Sequence, residues 1–205
     1  APLGPTHTAV EDFSLMLSVP NMKVFAPADA FEMENLLTAL VDDGDPHYVR
    51  FGKGGETIVT QDFPTFDLMP KVFGEKSPQV VMFTTGIMLQ HCLEARTNLM
   101  SQGISTTVLH FPYLNDLSIE HIVSEIRSAQ LMICVEEHVP RGGLFTQILH
   151  EFASARLSTK NLYHLSLPSA FSHKYGSQVD HLDLNGLTAP KIASHVERLL
   201  VINGK

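Results

Sequence analysis

With 205 residues, the chain has room for one large domain, or for one domain plus part of another. Its 22 acidic against 14 basic side chains give a net charge of −8, which argues against a nucleic-acid backbone as partner, since phosphate contacts need clustered Lys and Arg. No run of about 18 apolar residues occurs, so no membrane span is expected, and no signal peptide is visible.

Gly4-Pro5-Thr6-His7 reads as a rigid turn that presents His7 at the start of a helix, with Thr6 or Thr8 able to cap it. The helix is expected over about residues 8–19, stopped by Pro20. Met22–Ala26 reads as a buried strand closed by Pro27. Asp29 then caps a helix to about Asp42, with Phe31, Leu36, Leu37, Leu40 and Val41 facing inward. His47–Phe51 is a further strand, followed by Gly52-Lys53-Gly54-Gly55. Over residues 52–79 Gly, Pro and Lys are frequent and the apolar runs are broken, and 56–78 reads as a linker with a short strand at Thr57–Val59.

From Val80 onward the pattern is regular. Val80–Gly86 reads as a strand and Ile87–Ser101 as a helix. Ser105–Phe111 reads as a strand, and a helix capped by Ser118 runs to about Ala129. Leu131–Val135 is a strand, Gly142-Gly143 opens a helix to about Arg156, and Leu162–Leu167 is a strand. A polar loop spans 168–188 and a last helix covers about 190–200. Central strands without polar alternation are buried on both faces. The expected fold is therefore a doubly wound α/β domain with a mostly parallel sheet over 79–205, preceded by a partial α/β domain over 1–55.

The candidate chemistry is sparse. His7 carries an imidazole that titrates near neutrality and is placed by a stiff backbone. Arg50 stands at the end of a strand, where α/β sheets gather ligands, and a guanidinium there suits a phosphate or carboxylate; a surface ion pair is the equal alternative. The glycines after Arg50 do not form a phosphate-cradle motif. Glu136-Glu137-His138 closes a buried strand, but adjacent strand side chains point to opposite faces, so the two carboxylates read as structural rather than as a working pair. His121 and Glu125 share helical spacing without a third ligand, so no metal site is expected. The absence of GxSxG argues against a serine hydrolase. His173, Lys174, Gln178 and His181 read as a solvated loop or a lining of a subunit contact. Cys92 and Cys134 lack CxxC spacing and read as reduced core thiols of a cytoplasmic protein. Ala1 in place of Met reads as a processed chain or a fragment.

In register, Gly4-Pro5-Thr6-His7 with Val10-Glu11-Asp12, Pro20-Asn21-Met22, Ala26-Pro27-Ala28-Asp29, Tyr48-Val49-Arg50-Phe51-Gly52 and Val135-Glu136-Glu137-His138 with Gly142-Gly143-Leu144 resemble the C-terminal half of the transketolase family of thiamine-diphosphate enzymes. Gly176-Ser177 and Gly186-Leu187-Thr188 fit the same pattern. Leu3 stands where family members often carry an acidic residue, and Phe145 where they carry a glycine.

The resemblance implies that residues 1–55 are part of the pyrimidine-binding domain and 79–205 the C-terminal domain. It implies an enzyme that moves a two-carbon ketol unit between sugar phosphates. Thiamine diphosphate and magnesium would sit in the complete homodimer, with none held by this chain alone. His7 matches the family histidine near the substrate's first carbons, and Arg50 the arginine that grips the sugar phosphate. The activating glutamate and the diphosphate-binding domain would lie in segments outside this sequence. The same architecture also suits a deoxyxylulose-phosphate synthase, a 2-oxoacid dehydrogenase β subunit, or a non-catalytic dimerisation or regulatory module.

Overall fold

The computed structural model describes residues 8–203; His7 lies outside the described residues. The chain runs α1 (Asp12–Leu17), β1 (Lys23–Phe25), α2 (Ala30–Leu40), β2 (His47–Val49), β3 (Lys71–Phe73), β4 (Val80–Thr84), α3 (Met88–Ser101), β5 (Thr106–His110), a 3₁₀ turn (Ile119–Ile122), α4 (Val123–Ser128), β6 (Leu131–Val135), α5 (Leu144–Ser154), β7 (Leu162–Leu165), α6 (Gln178–Leu184) and α7 (Ala189–Asn203). No described helix is long and apolar enough to cross a membrane.

β3 to β7 form one sheet in the order β3-β5-β4-β6-β7. β4, β5, β6 and β7 are parallel, and β3 pairs antiparallel with β5 at the edge. Strand alternation sends Val80 and Met82 of β4, with Leu131 and Ile133 of β6, to one face, where α3 and α7 supply Leu89, Cys92, Ile192 and Val196. Val81, Phe83, Met132 and Cys134 point to the other face, against Leu144, Ile148 and Phe152 of α5. Every residue of β4, β5 and β6 is buried. The expected doubly wound, mostly parallel α/β domain is the one found, and its central strands lack polar alternation because helices cover both faces.

The N-terminal segment lies over the carboxyl ends of this sheet. β1 and β2 pair in parallel as a two-stranded ribbon. The Ala26 carbonyl accepts the Gly86 amide, Ala26 N–H donates to Pro112, and Arg50 N–H donates to Phe25. Asp29 caps α2 by accepting the Glu32 amide. Its carboxylate also takes Val59 N–H at 2.7 Å, Thr60 N–H at 3.0 Å and the Thr60 hydroxyl at 2.8 Å. Residues 57–59 are therefore not the expected strand: two of the amides a ladder would use there and just beyond are spent on Asp29. The strand within 56–78 is β3, whose three residues are flanked by Pro70 and Gly74 and give too short a run to show in the sequence.

Other elements differ for equally local reasons. The first helix begins at Asp12, not at residue 8: the Val10 carbonyl accepts the Val139 amide, and the chain bends at Val10 and Glu11 before the helix starts. Leu37 and Val41 do not face inward; they are 50% and 79% exposed, and of the apolar residues expected inside, Leu36 is the fully buried one. Ser118 adopts a left-handed φ of 46° and caps nothing with its side chain; the chain takes a 3₁₀ turn before α4. The loop 168–188 contains α6, opened by a reciprocal capping box between Ser177 and Asp180.

Candidate functional site

The end of β2 meets the start of α1 and the end of β6. Asp12, in the first turn of α1, is buried, and its Oδ2 accepts the Tyr48 hydroxyl at 2.8 Å. Arg50 follows β2 directly. Its Nη1 donates to Asp12 Oδ1 at 3.3 Å, and its Nη2 donates to the Glu137 carbonyl at 2.8 Å and to Glu137 Oε2 at 2.9 Å. The guanidinium lies 4.8 Å from the Phe13 ring centroid, and Phe13 stacks on His138 at 5.2 Å. The remaining Glu137 oxygen accepts Gln178 Nε2 at 2.7 Å, which ties α6 to the same cluster. Burial, followed by the hydrogen bond to Asp12, pushes the Tyr48 phenol up to about 12.

Above this cluster opens a cleft of about 290 Å³, with Thr8, Phe13, Arg50, Lys53, Ile87 and Gln178 among its walls. A larger, mostly apolar hollow of about 690 Å³ adjoins it, bounded by residues 167–174 and α6. Both are lined by Thr8, Val10, Lys53, Glu137 and Gln178. The polar residues 173, 174, 178 and 181 therefore do more than meet solvent: they edge this hollow, and Gln178 anchors it.

Glu136 points away from Glu137, as alternation requires. It is fully buried and accepts Leu144 N–H at 2.7 Å, Phe145 N–H at 3.2 Å and His164 Nε2 at 2.8 Å. A carboxylate against the first amides of α5 stabilises that helix end. Phe145, in the place of the family glycine, stacks on His164 at 4.1 Å. Cys134, Glu136 and His164 bring ligand atoms within 4.8 Å of one another. A metal there would have to displace the helix amides from Glu136, and burial, then the Glu136 charge, raises the Cys134 thiol well above its ordinary range. The trio is therefore read as the anchor of α5. His121 and Glu125 are not brought together: His121 is exposed beside Glu120, while the buried Glu125 accepts the Ser124 hydroxyl. The change from 3₁₀ to α winding between them removes their common face.

Gly142 shows why this corner needs glycine. Its φ is +77°, and a Cβ would stand 2.9 Å from the Ser14 Cα. The Ser14 hydroxyl donates to the Arg141 carbonyl at 2.6 Å, so α1 lies directly on this turn.

The structure thus brings Arg50 together with Asp12 and Glu137, a grouping the sequence reading did not make. Asp12 stood in the Val10-Glu11-Asp12 motif and Glu137 in the 136–138 motif, but nothing in their spacing showed that they share one guanidinium. The Ser177-x-x-Asp180 capping signal for α6, by contrast, was legible and would have placed Gln178 on a helix.

Comparison with known proteins agrees with this geometry. Residues 2–55 match the pattern described as the transketolase pyrimidine binding domain, and residues 72–192 match that of the transketolase C-terminal domain. The chain is similar to a 1-deoxy-D-xylulose-5-phosphate synthase of Dictyoglomus thermophilum, 31% identical over 96% of this chain and 32% of that protein. It is also similar to an uncharacterized transketolase family protein of Sinorhizobium fredii, 27% identical over 96% of this chain and 57% of that protein. Among solved structures it is similar to a split gene transketolase described as an inactive β4 tetramer, with a TM-score of 0.84 and 27% identity over 98% of this chain and 65% of that one. The chain spans about a third of the synthase's length and rather more than half of the Sinorhizobium protein's. With one of these patterns alone covering more than half of its length, the chain belongs to the transketolase family and comprises a C-terminal portion of such an enzyme.

Proposed function

We propose that this chain is the C-terminal portion of a cytoplasmic transketolase-like enzyme that moves a two-carbon ketol unit between sugar phosphates. The observation that carries the reading is Arg50, held at the mouth of a cleft formed where the pyrimidine-domain and C-terminal-domain segments meet. In this reading Arg50 contacts the substrate phosphate, and His7 contacts an oxygen on the substrate's first carbons. Asp12, which also accepts the Tyr48 hydroxyl, and Glu137 hold the guanidinium in one orientation, so that little side-chain entropy is lost when an anion arrives.

The family implies thiamine diphosphate, which supplies the carbanion chemistry when bound, together with magnesium. The described residues of this chain do not fit that group by themselves. Both carboxylates lining the cleft, Asp12 and Glu137, are engaged by Arg50, so neither is free to serve a cofactor proton or a metal. The activating carboxylate, the diphosphate site and the metal ligands are assigned to the remaining N-terminal domains and to a second copy in a homodimer. The chain on its own is therefore proposed to be inactive.

A second reading is favoured by the similarity to 1-deoxy-D-xylulose-5-phosphate synthases at 31% and 28% identity: the complete enzyme would make that phosphosugar. The test is to assay the complete protein, with all its domains, for ketol transfer among phosphorylated and unphosphorylated sugars and for 1-deoxy-D-xylulose 5-phosphate formation. Transfer between phosphosugars supports the first reading, and synthase product alone supports the second. Activity from residues 1–205 alone would refute the split-site view.

A further inference from the structure

We propose that Lys53 is a phosphate-recognition residue of the cleft and that Arg50 holds the anion more weakly without it. This rests on the sugar-phosphate reading and adds a specificity-determining side chain to it.

Among the described residues lining the cleft, the charged ones are Asp12, Arg50, Lys53 and Glu137. Arg50 is shared between both carboxylates and the Glu137 carbonyl, with its two terminal nitrogens committed. The arginine is outnumbered: the Asp12–Arg50–Glu137 cluster carries a net negative charge, and an approaching phosphate meets repulsion there. Among the described lining residues only Lys53 restores neutrality. Its ammonium is exposed and makes no hydrogen bond or ion pair among the described residues, so it need not leave a partner to meet a ligand. A Lys head on a flexible stem suits an anion as a point charge where the fork of an arginine is already occupied.

The backbone presents Lys53 for this. Gly54 and Gly55 have φ of +97° and +93°, a region side-chain-bearing residues rarely adopt, and Gly54 N–H donates to Glu56 Oε1 at 3.2 Å. Lys53 is thereby set three residues beyond Arg50, on the ridge that both hollows share. A phosphate bound there would sit where the cleft opens into the larger hollow.

The test is titration of inorganic phosphate into the complete protein, followed through backbone amide shifts of residues 50–55, with chloride at matched ionic strength as the control. The unmodified protein is expected to saturate with phosphate, and Lys53→Met to bind at least about tenfold more weakly, as loss of one charge-assisted contact implies. Lys53→Arg is expected to retain binding. Because Lys53 is exposed and unpartnered, Lys53→Met is not expected to alter unfolding, which a urea titration checks. Unchanged phosphate affinity in folded Lys53→Met, or shifts that chloride reproduces, overturns the proposal. The enzymatic reading fails separately: Lys53-dependent phosphate binding with no transfer of any sugar unit would leave Lys53 in place and remove the ketol-transfer assignment. Phosphosugar turnover with a KM untouched by Lys53→Met would do the reverse.

Discussion

Glu32 and His110 meet at 2.8 Å although 78 residues separate them, and the His110 side chain is wholly buried. Glu32 Oε2 also accepts the Ala28 amide at 2.7 Å, so His110 Nε2 is the donor in the pair. One polar atom on each partner, Glu32 Oε1 and His110 Nδ1, has no hydrogen-bond partner. The contact joins α2 to the end of β5 and is one of the ties that fasten the N-terminal segment onto the C-terminal sheet.

Removing that carboxylate should loosen the tie. Glu32→Leu would orphan the Ala28 amide and His110, each a buried group worth about 1–3 kcal/mol when unsatisfied, so a loss of about 2–6 kcal/mol is expected. Glu32→Gln keeps an acceptor and should cost less. Urea unfolding midpoints of the two variants check the order; equal losses would mean that the hydrogen bonds do not matter.

Arg50 is both a substrate candidate and a structural ion. Arg50→Met leaves the Asp12 and Glu137 carboxylates, whose side chains are 7% and 14% exposed, without their cation. Breaking a buried pair from one side costs about 3–5 kcal/mol, discounted here toward the lower end because Arg50 itself is 19% exposed. The triple change with Asp12→Asn and Glu137→Gln should recover part of that stability. In the complete enzyme the triple variant should raise the apparent KM for phosphorylated sugars and leave unphosphorylated ones little changed. An equal effect on both would remove Arg50 from phosphate binding.

For His7, the complete enzyme carrying His7→Ala should lose roughly one to three orders of magnitude in turnover, the range for one positioned polar group. Substrate-saturated rates check this, and an unchanged rate would exclude His7 from the chemistry.

Alkaline stability follows from two protons that the fold holds more tightly, one on the buried Cys92 and one on the half-buried Tyr48. Burial pushes the Cys92 thiol from 9.0 up to about 12, and the Tyr48 phenol moves from 10.0 up to about 12, chiefly through burial. The unfolded chain sheds these protons first, so it binds fewer protons than the folded chain at alkaline pH. Stability is then fully present below about pH 9 and falls as pH rises toward about 12, which urea midpoints over that range measure. The same shift lowers the Cys92 thiolate fraction near neutrality, and the thiol is buried, so disulfide reagents should react with the folded chain far more slowly than with the unfolded one.

Protection from hydrogen exchange should be uneven. β4 has a sheet neighbour on each side and lies under helices, whereas β1 and β2 are three-residue strands and α2 leaves Leu37 and Val41 exposed. Amides of β1, β2 and α2 should therefore exchange faster than those of β4 and β6 in residues 1–205 alone. Equal protection would show that the N-terminal segment needs no further chain to stabilise it.

Local chemistry made much of this protein legible in advance. The apolar strands Val80–Thr84 and Leu131–Val135, and the Asp29 cap, follow from composition and short-range hydrogen bonding, so the parallel sheet and its layers could be read directly. The opposed directions of Glu136 and Glu137 follow from strand alternation alone. Only the tertiary structure decided the rest. Which guanidinium lies between Asp12 and Glu137, why the Val10 carbonyl goes to Val139, why Val59 and Thr60 turn to Asp29, and how Glu32 finds His110 all depend on groups 30 to 130 positions apart. No periodicity encodes such pairings. They form because a buried donor or charge must be satisfied by whatever the packed sheet brings within reach.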